Sequence, residues 1–146
     1  MKYIIAVILI SLPLLGISQK HKFNFDFALI FGGCFHKDSV SIDLNGINIV
    51  SNAKIETNVV GSARFSVSQD KNYLFVKSEE KIKRLKKVNL KQPLNFHIFI
   101  NNKEYNYTFN IKKGRVLYAE NCPIDNDLKR INTLTITQQD SPVIFL

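Results

Sequence analysis

The side chains with the widest chemical range in this chain are its three histidines and two cysteines. His21, His36 and His97 are far apart in sequence, so no two of them have the spacing of paired metal ligands on one strand or helix. Cys34 and His36 share one face of an extended segment, which is half of a metal-binding pattern, but no second ligand pair follows. The sequence therefore predicts no metal site and no cofactor.

Two other polar clusters match functional motifs only in part. His36, Asp38 and Ser39 supply the residue types of a hydrolytic triad, but triad members come from distant segments and no nucleophile-elbow glycines surround a serine. Residues 125–127 suggest a calcium loop, yet the loop glycine is absent and Ile136 stands where the final glutamate belongs. We therefore predict no catalytic residue.

The densest run of like charge spans residues 81–91. Its basic residues are Lys81, Lys83, Arg84, Lys86, Lys87 and Lys91. Their summed field would attract an anionic glycan, lipid headgroups or an acidic envelope protein. The alternative is a solvated surface or an edge strand that its lysines protect from pairing with other chains. No aromatic residue interrupts the run, and the predicted export described below argues against nucleic acid as the partner.

The clearest secondary-structure prediction in the sequence is a β-hairpin over residues 39–50. Asn45-Gly46 separates two alternating runs, and both residues tolerate the positive φ of a two-residue type I′ turn. This turn predicts a hairpin with one apolar side. The predicted partners are Leu44 with Ile47, Asp43 with Asn48 and Ile42 with Ile49.

Two further hairpins are predicted from their alternation. Residues 63–68 and 73–77 pair if the connection is four residues long, as do residues 94–100 and 105–111. The predicted partners in the first are Val67 with Leu74 and Phe65 with Val76. In the second they are Ile100 with Tyr105, Ile98 with Tyr107, Phe96 with Phe109 and Leu94 with Ile111.

The remaining segments are mostly short and strand-like. Alternation predicts strands over residues 21–31, 54–60, 116–120, 133–137 and 143–146. The exception is residues 78–87, where Ser78 can cap a helix and Ile82 and Leu85 lie three residues apart. Short strands with frequent turn signals predict an all-β, antiparallel sandwich of immunoglobulin-like architecture with at most one short helix, or alternatively a small β-barrel.

The first 18 residues have the composition of a cleavable secretory signal. Lys2 precedes an apolar run over residues 4–15, and small residues at positions 16 and 18 suit cleavage after Ser18. An uncleaved anchor is the alternative, although the run is short for a bilayer span. Residues 19–146 then form one domain with a net charge of 19 − 12 = +7, since Lys2 is lost with the signal.

Export also bears on the two cysteines, because an oxidising compartment lets a thiol pair persist as a disulfide. We predict that Cys34 and Cys122 form one disulfide. The alternative is two buried free thiols.

Three hypotheses for function follow from these features. The first is a non-catalytic binding or interaction module of the bacterial periplasm or cell surface, using the basic segment, and not integral to the membrane once the signal is cleaved. The second is a small exported hydrolase that uses His36 or His97 in a cleft. The third is a small outer-membrane barrel, which most of the strands are too short to build.

Overall fold

The computed structural model describes residues 25–58, 61, 63–79, 81–123 and 133–140. The predicted signal segment, His21, residues 125–127 and the predicted strand over residues 143–146 lie outside this description. Within it there are ten strands, one 3-10 turn at Ile111–Lys113 and no α-helix. None of its helical segments is long and apolar enough to cross a membrane. The strands are β1 Phe27–Phe31, β2 His36–Leu44, β3 Ile47–Glu56, β4 Ser66–Gln69, β5 Tyr73–Lys77, β6 Ile82–Lys86, β7 Leu94–Ile100, β8 Lys103–Phe109, β9 Val116–Glu120 and β10 Thr135–Gln139.

The strands form two separate sheets. One has six strands in the order β10-β9-β1-β4-β5-β6, and the other has four in the order β3-β2-β7-β8. The predicted all-β class is confirmed, and the alternative of a closed barrel is wrong. The described strand pairs are antiparallel, as predicted for most of the fold, except that β1 and β9 run parallel.

Aromatic side chains from both sheets meet in one core. The Phe27 ring of β1 lies 5.5 Å from the Phe109 ring and 6.2 Å from the Phe96 ring, centroid to centroid, so the two sheets face each other across these rings. All three side chains are at most 1% exposed. The arrangement is therefore sandwich-like, with the apolar faces of both sheets buried together.

The first hairpin has the predicted turn. Asn45 and Gly46 have φ values of 51° and 77°, and Leu44 lies opposite Ile47 as expected. A bulge then places Ile42 opposite Val50, so the predicted pairing of Ile42 with Ile49 is wrong. The extra residue in β3 allows two consecutive side chains of that strand to be buried.

The second hairpin pairs two residues away from the predicted register. Val67 lies opposite Val76 rather than Leu74, and Gln69 rather than Val67 is the partner of Leu74. The Asp70 carboxylate accepts hydrogen bonds of 2.8 Å from two backbone N–H groups beyond it, so the connection is tighter than the predicted loop and Gln69 joins the strand. The apolar face is unchanged, because a shift of two residues preserves the face.

The third hairpin is displaced in the same way. Asn101 and Asn102 have φ values of 48° and 68° and form a two-residue turn, where the sequence predicts a four-residue connection. The register is therefore again wrong by two residues. The observed pairs are Ile100 with Lys103, Ile98 with Tyr105, Phe96 with Tyr107 and Leu94 with Phe109.

One predicted element is wrong in kind and another in its bounds. The described part of residues 78–87 contains no helix, because β6 pairs with β5 and places Leu85 opposite Leu74 beside the core. Burial of Leu85 in a sheet outweighs the weak helical spacing of this segment. Residues 54–56 of the predicted strand 54–60 are extended as expected, but they form the end of β3 rather than a separate strand.

The predicted disulfide is present. Cys34 and Cys122 follow the neighbouring strands β1 and β9, and their Cα atoms lie 4.8 Å apart. Beside them the buried carboxylate of Asp38 accepts hydrogen bonds from the side-chain amides of Asn101 at 2.6 Å and Asn121 at 3.2 Å. These contacts join the disulfide corner to the four-stranded sheet.

Removing the disulfide should lower the stability of the protein substantially. The two cysteines are 88 residues apart, so the chain-entropy model gives about 4 kcal/mol of stabilisation from restricting the unfolded chain. We expect the Cys34→Ser/Cys122→Ser double variant to lose about that much unfolding free energy in urea titration. A loss below about 1 kcal/mol, or alkylation of both cysteines in the unreduced wild type, would contradict this assignment.

Candidate functional site

His36 and His97, the two histidines that the structure describes, lie at separate exposed or half-exposed positions. His97 lies on the outer face of the four-stranded sheet, where its Nδ1 is 3.5 Å from a Glu104 carboxylate oxygen and both side chains are about half exposed, at 45% and 50%. His36 is exposed at the start of β2. Among the described residues no three His, Cys, Asp or Glu side chains are grouped to hold a metal ion.

A cleft of about 720 Å³ opens where β3 ends near β4 and β5. Its buried lining includes Ile55 and Phe65, and its charged lining includes Lys54, Glu56 and Arg64. No histidine or cysteine is among its described lining residues. The structure therefore does not bring the histidines of the enzyme hypothesis into this cleft.

The basic segment forms the exposed edge of the six-stranded sheet. Arg84 and Lys86 of β6 alternate with Lys83 and Leu85, and Leu85 faces the core. Arg84 and Lys86 therefore point to the outer face of the sheet, whereas Lys83 lies on the other side of the strand. The outer residues of β6 continue the outer face of β5.

The other predicted basic residues do not share this face. Lys81 precedes β6, and the Lys87 ammonium group donates to the Lys71 backbone carbonyl at 3.2 Å. Lys91 lies in a turn, where its backbone N–H donates to the Asn89 side chain at 3.0 Å. The run of charge in the sequence is thus divided among several directions in the fold.

Two aromatic rings lie beside Arg84. Its Cζ atom is 5.7 Å from the centroid of the Tyr73 ring and 6.0 Å from that of the Phe75 ring. The two rings are themselves in edge-to-face contact at 6.2 Å. A guanidinium group at these distances is attracted by the quadrupole of each ring.

We call this surface the basic–aromatic face. It comprises the outward side chains of β5 and β6, which pair across the two strands: Tyr73 with Lys86, Phe75 with Arg84, and Lys77 with Ile82. Tyr73 is 46% exposed and Ile82 is 64% exposed. Cations and apolar groups therefore alternate over a flat and accessible surface.

The cations of the basic–aromatic face have no acidic partner within the described residues. Among the described residues, the only contact within 4 Å between a basic and an acidic side chain joins His97 and Glu104 on the other sheet. Arg84 acts electrostatically on Asp70, whose pKa is lowered by hydrogen bonds from the backbone N–H groups of Tyr73 and Asn72 and, to a lesser extent, by the charge of Arg84. Its carboxylate is thus engaged by the turn.

A buried glutamine fixes the chain beyond β6. The Gln69 side chain is 2% exposed, accepts a hydrogen bond from the Val88 N–H at 2.7 Å and donates one to the Val88 carbonyl at 3.0 Å. The side-chain amide thus pairs with Val88 as a neighbouring backbone would. Val88 and Leu90 also pack against the core, so the chain is fixed directly after β6 as well as by the pairing of β6 with β5.

The basic run predicted from the sequence includes Arg84 and Lys86 of this face but omits Lys77 and both aromatic residues. Tyr73 and Phe75 are outside the basic run and come from the neighbouring strand. The alternation of β5 could have indicated them. Leu74 and Val76 face the core, so the residues that alternate with them, Tyr73 and Phe75, must face outward.

Comparisons with protein-family models, curated proteins and solved structures find no match to this chain in any of the three. The case for a function therefore rests on the geometry and charge of the site itself.

Loss of the Gln69 amide should loosen the segment that follows β6. We expect Gln69→Leu to reduce the unfolding free energy by about 2 kcal/mol, because the Val88 N–H and C=O lose their partners. Exchange of the Val88 amide hydrogen should become faster. The exposed Gln92→Leu is the matched control and should change stability by less than about 0.5 kcal/mol. Unchanged Val88 protection in Gln69→Leu would contradict this role.

Proposed function

We propose that this chain is an exported, non-catalytic binding module that holds an acidic polysaccharide on its basic–aromatic face. The observation that carries the proposal is the accessible basic–aromatic face, where Lys77, Arg84 and Lys86 have no acidic partner among the described residues. Unpaired surface cations attract anions, and rings between them supply apolar contact.

A polysaccharide suits the shape and the chemistry of this face. The C–H groups of sugar rings pack on aromatic rings, and Tyr73 offers a half-exposed ring. Ser66 and Ser68 of β4 continue the same side of the sheet and add hydroxyl groups. Arg84 and Lys86 are two residues apart on one strand, about 7 Å, so an extended polymer can reach both.

The same surface is less suited to a protein or a membrane. The centre of a protein interface is depleted in lysine, whereas here cations are spread among the apolar groups. Binding to a membrane surface is strengthened by apolar side chains that insert below the headgroups. Tyr73 and Phe75 instead contact each other and Arg84 on a strand face.

The setting of the proposed module is the exterior of a bacterial cell or its periplasm. Residues 1–18 act as the signal peptide, and residues 19–146 form one domain of immunoglobulin-like architecture. The disulfide supports export, because such bonds persist in oxidising compartments. The two facing sheets support the architecture.

Charge reversal on the basic–aromatic face should abolish polysaccharide binding. We expect wild type to bind polygalacturonate in isothermal calorimetry, and Lys77→Glu/Arg84→Glu/Lys86→Glu to bind at least about tenfold more weakly. Binding of the wild type should weaken with added salt. Neutral dextran should not bind.

The matched control reverses three exposed cations near the start of β9, Lys112→Glu/Lys113→Glu/Arg115→Glu. It carries the same change in net charge, but its positions are roughly 19 Å from β6, about four strand spacings. We expect it to bind nearly as well as wild type. Equal loss in both variants, or wild-type binding to phosphatidylglycerol vesicles or polyglutamate instead of the polysaccharide, would contradict the proposal.

A second variant tests whether binding depends on the basic–aromatic face or on the total charge of the basic segment. Lys81→Glu/Lys83→Glu/Lys87→Glu reverses three cations of the same segment that lie off the basic–aromatic face. We expect this variant to retain more affinity than the one altered on the face. The reverse order would assign recognition to the edge of the sheet.

A further inference from the structure

We propose that Arg84 is the specificity-determining residue of this face and recognises the carboxylate of a uronic acid unit. This inference rests on the proposed function and goes beyond it, because it assigns selectivity to one side chain rather than to the summed charge. Lys77 and Lys86 then contribute attraction without selectivity.

The two aromatic rings hold the Arg84 guanidinium in place before any ligand binds. Its central carbon lies within 6.0 Å of both ring centroids, and the rings are fixed against each other in edge-to-face contact. A free arginine side chain loses much rotamer entropy on binding. Restriction by Tyr73 and Phe75 lowers that cost, which is the benefit of preorganisation.

The hydrogen-bond donors of this guanidinium remain available to a ligand. Among the described residues no acceptor hydrogen-bonds to the Arg84 side chain, and no carboxylate lies within 4 Å of it. Asp70, which influences Arg84 electrostatically, uses its carboxylate to accept bonds from the Asn72 and Tyr73 backbones. The Arg84 guanidinium is thus positioned by the two aromatic rings, and no described acidic group neutralises its charge.

The geometry of the donors points to a carboxylate. A guanidinium presents parallel N–H groups in a plane, and a carboxylate accepts two of them at once. An ammonium group is a point charge with rotating donors and does not distinguish among anions in this way. Since Lys77 and Lys86 lie at opposite corners of the same face, a carboxylated polymer anchored at Arg84 also passes near them.

The decisive experiment is the charge-conserving substitution Arg84→Lys, with an oligogalacturonate as the probe. We expect about tenfold weaker binding, because the two-point hydrogen bond is lost. The salt dependence of the affinity should stay as in wild type, since the net charge is unchanged. The matched control Arg115→Lys makes the same exchange at an exposed position away from the basic–aromatic face and should alter the affinity by less than about twofold.

Selectivity and side-chain order provide two further readouts. Binding of dextran sulfate, which lacks carboxylates, should change less than that of oligogalacturonate in Arg84→Lys. Tyr73→Leu should reduce the side-chain order of Arg84, measured by ¹⁵N relaxation at Nε, and weaken oligogalacturonate binding while leaving the net charge intact.

The outcomes separate this inference from the function on which it rests. If wild type binds oligogalacturonate and Arg84→Lys binds it equally well, the role of Arg84 is wrong while the binding face stands. Equal losses for oligogalacturonate and dextran sulfate, or an equal effect of Arg115→Lys, would also overturn it. Absence of wild-type binding would overturn both proposals.

Discussion

The structure depends on the burial of one face of β1. Phe27, Leu29 and Phe31 are all 0% exposed, and the strand is hydrogen-bonded on both sides, to β4 and to β9. The Phe27 ring contacts the other sheet, while Phe31 contacts Phe65 next to β4 at 5.3 Å. Every later strand of the six-stranded sheet is placed relative to this one. β1 separates the β9–β10 pair from β4, β5 and β6, of which β5 and β6 carry the basic–aromatic face.

The sequence predicted which faces are buried much better than which residues are partners. Side chains alternate with period two, so registers that differ by two residues bury the same set and cannot be told apart by pattern alone. The turns decide between them: Asp70 tightens one connection, and Asn101-Asn102 closes another in two residues. The parallel pairing of β1 with β9 has no local signal, since it joins segments far apart in the chain. The predicted helix failed because Leu85 gains more from packing beside Leu74 than from its helical spacing.

The candidate site was half visible in the sequence for a similar reason. Arg84 and Lys86 belong to an obvious basic run in the sequence, whereas Lys77 does not. Only the pairing of β5 with β6 brings Phe75 opposite Arg84 and Tyr73 opposite Lys86. The same pairing places Arg84 and Lys86 on the outer side of β6 and Lys83 on the opposite side, away from the basic–aromatic face. A charge count therefore describes the attraction between such a segment and an anion, whereas the fold determines which charges a bound polymer meets together.

The position of the disulfide has a mechanical consequence. Tension applied at the chain ends passes from Cys34 directly to Cys122, so the loop between them bears no load. Of the described strands, only β1 and β10 lie outside that loop. With a separation of 88 residues, roughly 300 Å of contour length stays locked at about 3.4 Å per residue. The covalent loop that contains β2 to β9 therefore stays closed under force, even after β1 and β10 have been pulled away.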